Sequence, residues 1–104
     1  MNIRKANAKD IPECVPLCQI PEFEEPSGEF PDEESLTKAL NHIFLVAEED
    51  NKIIGLIQGF ILTENEVYLD LLTIKKEHRN KNIGSQLIQA FRKELKKEGI
   101  KEFE

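Results

Sequence analysis

The sequence predicts a mixed α/β (α+β) domain, a mostly antiparallel sheet flanked by helices in the order βααβββαβ. Three observations carry this. Two apolar runs, 44–50 and 52–62, are separated by a tight Asp50-Asn51 turn, which reads as an antiparallel hairpin. The stretch "GSQLIQAFRKELKKEG" has apolar residues at helical spacing and comes after a strand-like run at 65–74. The stub "IKEFE" (100–104) then reads as a further strand, and strand, helix, strand at this spacing is a parallel crossover unit. With 104 residues the chain is expected to form one domain, 1–104.

In chain order, "NIRKA" (2–6) alternates Ile3 with polar neighbours and reads as an edge strand. "NAKDIPECVPLCQI" reads as a helix, with Asp10 and Glu13 as a capping box, Pro12 in the first turn and Pro16 breaking or kinking its second half. "PEFEEPSGEFP" (21–31) holds three prolines, one glycine and four glutamates, so it is a loop. Its Phe23 and Phe30 either fold back onto the core or belong to a flap that faces a substrate. "DEESLTKALNHI" (32–43) has acids in its first turn and Leu36, Ala39, Leu40 and Ile43 at helical spacing.

In "KIIGLIQGFIL" (52–62), Gly55 and Gly59 mark bulges, bends or the close approach of another group. In "NEVYLDLLTI" (65–74), simple alternation puts Val67, Leu69 and Leu71 on one face and Tyr68, Asp70 and Leu72 on the other. In the last helix Leu87, Ile88, Phe91 and Leu95 form the apolar stripe, and Gly99 ends it.

Apolar residues make up 39% and charged residues 33% of the chain, and 20 acids against 14 bases give a net charge of −6. That balance offers no reason to expect nucleic acid or an anionic membrane surface as a partner. No apolar run approaches the ~20 residues of a membrane span, and the opening stretch has no apolar signal region. A cytoplasmic protein is expected. Cys14 and Cys18 would share a helix face, where a thiol pair binds metal, forms a bridge or simply stays reduced and free. His42 and His78 stand apart, so no zinc set is completed and no metal is expected.

The segment "EHRNKNIGSQLI" (77–88) leads from strand to helix with one glycine, Gly84. A helix N-terminus attracts phosphate, and Arg79 and Lys81 add two cations, although neither GxxxxGK[ST] nor GxGxxG is present. "DLLTIKKEHRNKNIGSQLIQAF" resembles the acetyl-coenzyme-A-binding motif of the GNAT family of N-acetyltransferases, Arg/Gln-x-x-Gly-x-Gly/Ala after a strand ending in Leu-x-Val-x-Pro-Glu. Leu72, Ile74, Glu77, Arg79, Lys81, Ile83 and Gly84 fall in register. Lys76 replaces the proline, Asn80 the optional first glycine and Asn82 the motif glycine. Asparagine tolerates the left-handed backbone that glycine supplies. Gly84 is then the position expected to resist a side chain.

The resemblance extends over nearly the whole chain and implies acetyl-CoA as cosubstrate and a primary amine as acceptor. It implies that the backbone of Asn82, Ile83, Gly84 and Ser85 holds the pyrophosphate, with Arg79, Asn80 and Lys81 nearby. Leu72, Thr73 and Ile74 would hold the pantetheine along the strand. Asp70 is the expected base or amine-orienting group, with Tyr68 and Glu66 extending a proton path. Glu24, Glu25 and Glu29 would steer a cationic acceptor. Relatives supply a tyrosine acid from a helix beyond the next strand, so the resemblance also implies a C-terminally incomplete domain. Two other readings stay open, a non-catalytic acyl-CoA-binding module and a structural protein using its exposed sheet edge as a homodimer interface.

Overall fold

A computed structural model describes residues 1–100. Four strands, β1 (Asn2–Lys5), β2 (Ile43–Glu49), β3 (Lys52–Thr63) and β4 (Glu66–Ile74), form one sheet in the order β1-β2-β3-β4. Every pairing is antiparallel. The helices are α1 (Ile11–Cys14), α2 (Glu33–Ala39) and α3 (Ile83–Lys97). The strand expected at 100–104 falls on 101–104, outside the described residues, and so does its parallel pairing.

Asp50 and Asn51 make the β2–β3 turn with φ of 52° and 64°, and Glu49 pairs with Lys52 across it. Left-handed backbone at both loop residues matches the strand twist. The α1 region departs from expectation. Its capping box is Asn7 with Asp10, one turn earlier than the Asp10–Glu13 box: Lys9 N donates to the Asn7 side chain, and Asn7 N to Asp10 Oδ2 at 2.8 Å. Glu13 instead accepts from Ile53 N at 2.7 Å, which pins α1 to β3. At Val15 the α turn tightens into a 3-10 turn, Val15–Cys18, where Pro16 withholds an N–H. Helix α2 is capped by Asp32, which exchanges hydrogen bonds with Ser35. It ends earlier than expected, because Ile43 pairs with Gly59 as the start of β2.

The sheet separates two apolar layers. Ile11, Cys14, Cys18, Leu36 and Ala39 pack on one face with Phe44, Val46, Leu56 and Leu71. Leu87, Phe91 and Leu95 of α3 pack on the other with Leu45, Ile54 and Ile57. Gly59 serves close approach: the Phe91 ring occupies the space where a Cβ would stand. At Gly55 that Cβ would meet Ile74 Cδ1 at 2.9 Å and Thr73 O at 3.2 Å.

The strict alternation expected for β4 does not hold. Gln58 pairs with Leu71 while Gly59 pairs with Leu69, so Asp70 is an extra residue. Such a bulge reverses side-chain parity beyond it. Val67, Leu69, Leu72 and Ile74 consequently pack on the α3 layer and Leu71 on the other. Leu71 and Leu72 have exchanged the faces that alternation assigned them.

Candidate functional site

The site forms along β4, the last strand in the described sheet. Lys75 N donates to Ile54 O at 2.7 Å, which fixes the phase of the β3–β4 ladder. Antiparallel residues alternate between facing the partner and facing away. Residues 73 and 75 therefore turn their backbone groups toward β3, and Leu72 and Ile74 turn theirs to the outer edge. The Ile74 carbonyl confirms this, because it accepts from Arg79 Nε at 3.1 Å on that side.

After β4 a 3-10 turn, Lys76–His78, leads into α3. Asn80 and Asn82 have φ of 66° and 63°, the left-handed backbone for which glycine is otherwise used. Asn82 is the N-cap of α3 and its side chain makes no capping bond. The first-turn N–H groups have no intrahelical acceptor and carry the positive end of a 15-residue helix. Gly84 differs from expectation. Its φ is not positive, and beyond its own turn of helix a Cβ there would meet no atom within 4 Å. The fold itself does not exclude a side chain at Gly84, so any such demand comes from a ligand.

A cleft of about 350 Å³ runs along this edge, lined by Ile20, Glu22, Phe23, Leu72, Thr73, Ile74, Arg79 and Gly84. Thr73 is buried, and its Oγ1 donates to Leu17 O at 3.2 Å, tying β4 to the turn after α1. Ile83 belongs to the α3 core layer, while Asn80, Lys81, Asn82 and Ser85 are exposed around the cleft's basic end.

A second cleft, also of about 350 Å³, opens on the α1–α2 side of β4 and shares Glu22 and Phe23 with the first. Glu24, Glu25, Gln58, Phe60, Asp70 and Leu71 are among its lining residues. Phe23 also packs against the core, so it both folds back and borders the clefts. Glu29 is not in the lining; its carbonyl accepts from Glu25 N at 2.7 Å, closing a tight turn at Gly28. Asp70 stands at the mouth. Desolvation by the cleft walls, with the Glu25 charge second, pushes its carboxyl above the usual range. Tyr68 is 56% exposed and Glu66 is exposed, both on the Asp70 face of β4.

Glu22, Phe60 and Gln58 were not singled out from the sequence. Gln58 had a signal, a lone amide inside an apolar strand. Burial also decides the cysteines: Cys14 and Cys18 are free and buried, which pushes both thiols up to about 12. No group of His, Cys, Asp and Glu among the described residues could hold a metal ion, and no helix among them is long and apolar enough to cross a membrane.

The model of the acetyltransferase (GNAT) family matches residues 10–104. Comparison with curated proteins gives no match. Among solved structures, the chain is similar to the PaiA N-acetyltransferase from Thermoplasma acidophilum in complex with coenzyme A. The TM-score is 0.78 at 24% identity, over 95% of this chain and 74% of that one. It is also similar to an aminoglycoside acetyltransferase from an uncultured soil metagenomic sample, in complex with sisomicin. There the TM-score is 0.75 at 26% identity, over 99% and 74%. N-acetylglutamate synthase from Neisseria gonorrhoeae, with coenzyme A and N-acetyl-glutamate, gives 0.81 at 19%, over 98% of this chain and 24% of that one. The family match spans nearly the whole chain, and this chain belongs to the GNAT family of acetyltransferases.

Proposed function

We propose that the protein transfers acetyl from acetyl-CoA to a primary amine by direct attack, with the thioester in the β4-edge cleft and the amine in the Asp70 cleft. The observation that carries this reading is the junction of the two clefts on successive residues of one strand, Asp70 to Ile74, with Glu22 and Phe23 in both. Coenzyme A in the similar Thermoplasma structure and an aminoglycoside ligand in the metagenomic one support the two halves of the assignment.

The residues divide the work by chemistry. The first-turn N–H groups of α3, with Arg79 and Lys81, offer donors and positive charge to the pyrophosphate. The outward backbone groups of Leu72 and Ile74 offer strand-like hydrogen bonds to the pantetheine amides. Arg79 releases the Ile74 carbonyl when it turns to the phosphates. An alkyl ammonium has a pKa of ~10.4, so it must lose a proton before its lone pair can attack. A carboxylate with a raised pKa is a stronger base than a free one, and Asp70 takes that proton directly or through water. Tyr68 and Glu66 continue its face toward solvent as the proton's exit. The C–N bond forms, the C–S bond breaks, and the coenzyme leaves as a thiolate that takes up the second proton, shed by the acylated nitrogen. Glu24 and Glu25 draw the cation in; Glu29 acts only at longer range.

Thiol release from acetyl-CoA, measured against a panel of primary amines, tests the proposal. Asp70→Asn is expected to lower kcat/KM by about 10²–10⁴-fold and to remove the acidic limb of its pH profile. Full activity in Asp70→Asn removes that residue from the mechanism. The second reading is a non-catalytic acyl-CoA-binding module: Tyr68, the only tyrosine among the described residues, is exposed and outside the lining of the coenzyme cleft. Saturable coenzyme binding without thiol release for any amine would establish that reading.

A further inference from the structure

Arg79 stands at the end of the turn from β4 to α3, and both it and Ile74 line the β4-edge cleft. Its Nε donates to Ile74 O at 3.1 Å through an exposed hydrogen bond. The turn itself is pinned, with His78 N donating to Lys75 O at 2.8 Å and Arg79 N to Lys76 O at 3.3 Å. A change of partner therefore needs only the exposed side chain to swing, with the backbone in place. Ile74 O points to the outer edge of β4, and a strand-like ligand donates an amide N–H to it from that side. Arg79 Nε already occupies that approach, so the guanidinium and the amide compete for one acceptor. A phosphate decides the competition. It is anionic and accepts two guanidinium N–H groups at once, which draws Arg79 off the carbonyl. The same cleft reaches Gly84 in the first turn of α3, the end that favours phosphate.

Resting on the reading of this cleft as the coenzyme site, we propose that Arg79 is a specificity-determining residue for the cosubstrate, acting as a latch on Ile74 O. A diphosphate releases the latch, and the pantetheine arm then pairs with the freed carbonyl. The site thus discriminates against pantetheine thioesters that carry no phosphate, because they must displace Arg79 without offering it another partner. The two halves of the coenzyme are coupled through one side chain, since both bind better when Arg79 is off the strand.

Calorimetric binding of pantetheine and ADP, the two halves offered as separate molecules, tests this without reference to turnover. Saturating ADP is expected to tighten pantetheine binding to the wild-type protein about fivefold, the worth of one ordinary hydrogen bond. Arg79→Ala should bind pantetheine alone about fivefold more tightly than wild type, with no further gain from ADP. The same variant should bind ADP about tenfold more weakly, through loss of a charged donor. Pantetheine affinity that is unchanged or lower in Arg79→Ala would reduce Arg79 to a phosphate contact and overturn the latch. Should Arg79→Ala fail to fold, the effect of ADP on pantetheine in wild type decides alone, and no effect overturns the proposal. Coenzyme A that binds without this coupling removes the latch and leaves the coenzyme site standing; no binding of coenzyme A, pantetheine or ADP removes both. Coupling that persists without thiol release for any amine removes the acetyltransferase reading and leaves the latch.

Discussion

Single residues set the two ends of the site. Asn80 and Asn82 hold left-handed backbone at φ of 66° and 63° and let the chain turn from β4 into α3 without glycine. Asparagine enters this region at lower cost than other side chains, and glycine at none. Asn82→Ala should therefore lower stability by about 1 kcal/mol, while Asn82→Gly should be neutral or slightly stabilising. Thermal melts of the three proteins check this, and equal melting of the alanine and glycine variants would show that the left-handed turn does not persist in solution. The asparagine turn was legible in the sequence, because the flanking motif residues fixed its place. Gln58 was not. Nothing in "GLIQGF" says whether that amide finds a partner, since its surroundings include β4 and the distant 21–35 segment.

At the scale of the element, β4 borders both clefts and the β3 glycines let α3 pack close to the sheet. Gly59 lies where the Phe91 ring of α3 meets the sheet, and Phe91 and Leu87 are fully buried. Gly59→Ala forces that ring or the strand to move, an overpacking cost of about 1–3 kcal/mol, read as a lower urea midpoint with an unchanged m-value. Glycine-to-alanine changes at open positions of ordinary backbone tend instead to stabilise, so a raised midpoint would contradict this packing. The sequence marked Gly55 and Gly59 as places of a bulge, a bend or close approach and identified the hairpin, because turn and strand signals are local. The bulge at Asp70 was not legible. A bulge is a mismatch between two strands, and β4 read alone shows only alternation.

The whole molecule is joined by a few long-range polar ties. Arg4 of β1 donates to both carboxylate oxygens of Asp10 at 2.8 and 2.9 Å, and to Glu48 of β2 at 3.3 and 3.4 Å. The hydrogen bonds from Arg4, with a further one from Asn7, hold the Asp10 carboxyl below its ordinary range despite its burial. A depressed folded pKa contributes stability that is present above the unfolded value of ~3.9 and is lost as pH falls through the folded value. Asp10→Asn is thus expected to lower the melting temperature at neutral pH, with the difference shrinking below pH ~4. A difference that does not change between neutral and acid pH would exclude Asp10 as the source of that stability.

The sequence by itself determined the antiparallel hairpin, the amphipathic last helix and the turn that resembles a coenzyme-binding motif. Each rests on residues adjacent or one turn apart, where backbone geometry links pattern to structure. Tertiary structure alone decided which faces β4 presents, that Glu22, Glu24 and Glu25 share a cleft with Asp70 while Glu29 does not, and that Gln58 Nε2 is enclosed there without a hydrogen-bond partner among the described residues. Those outcomes depend on strand register and on the 21–31 segment packing across the sheet. No short stretch of sequence encodes contacts whose partners lie dozens of residues away.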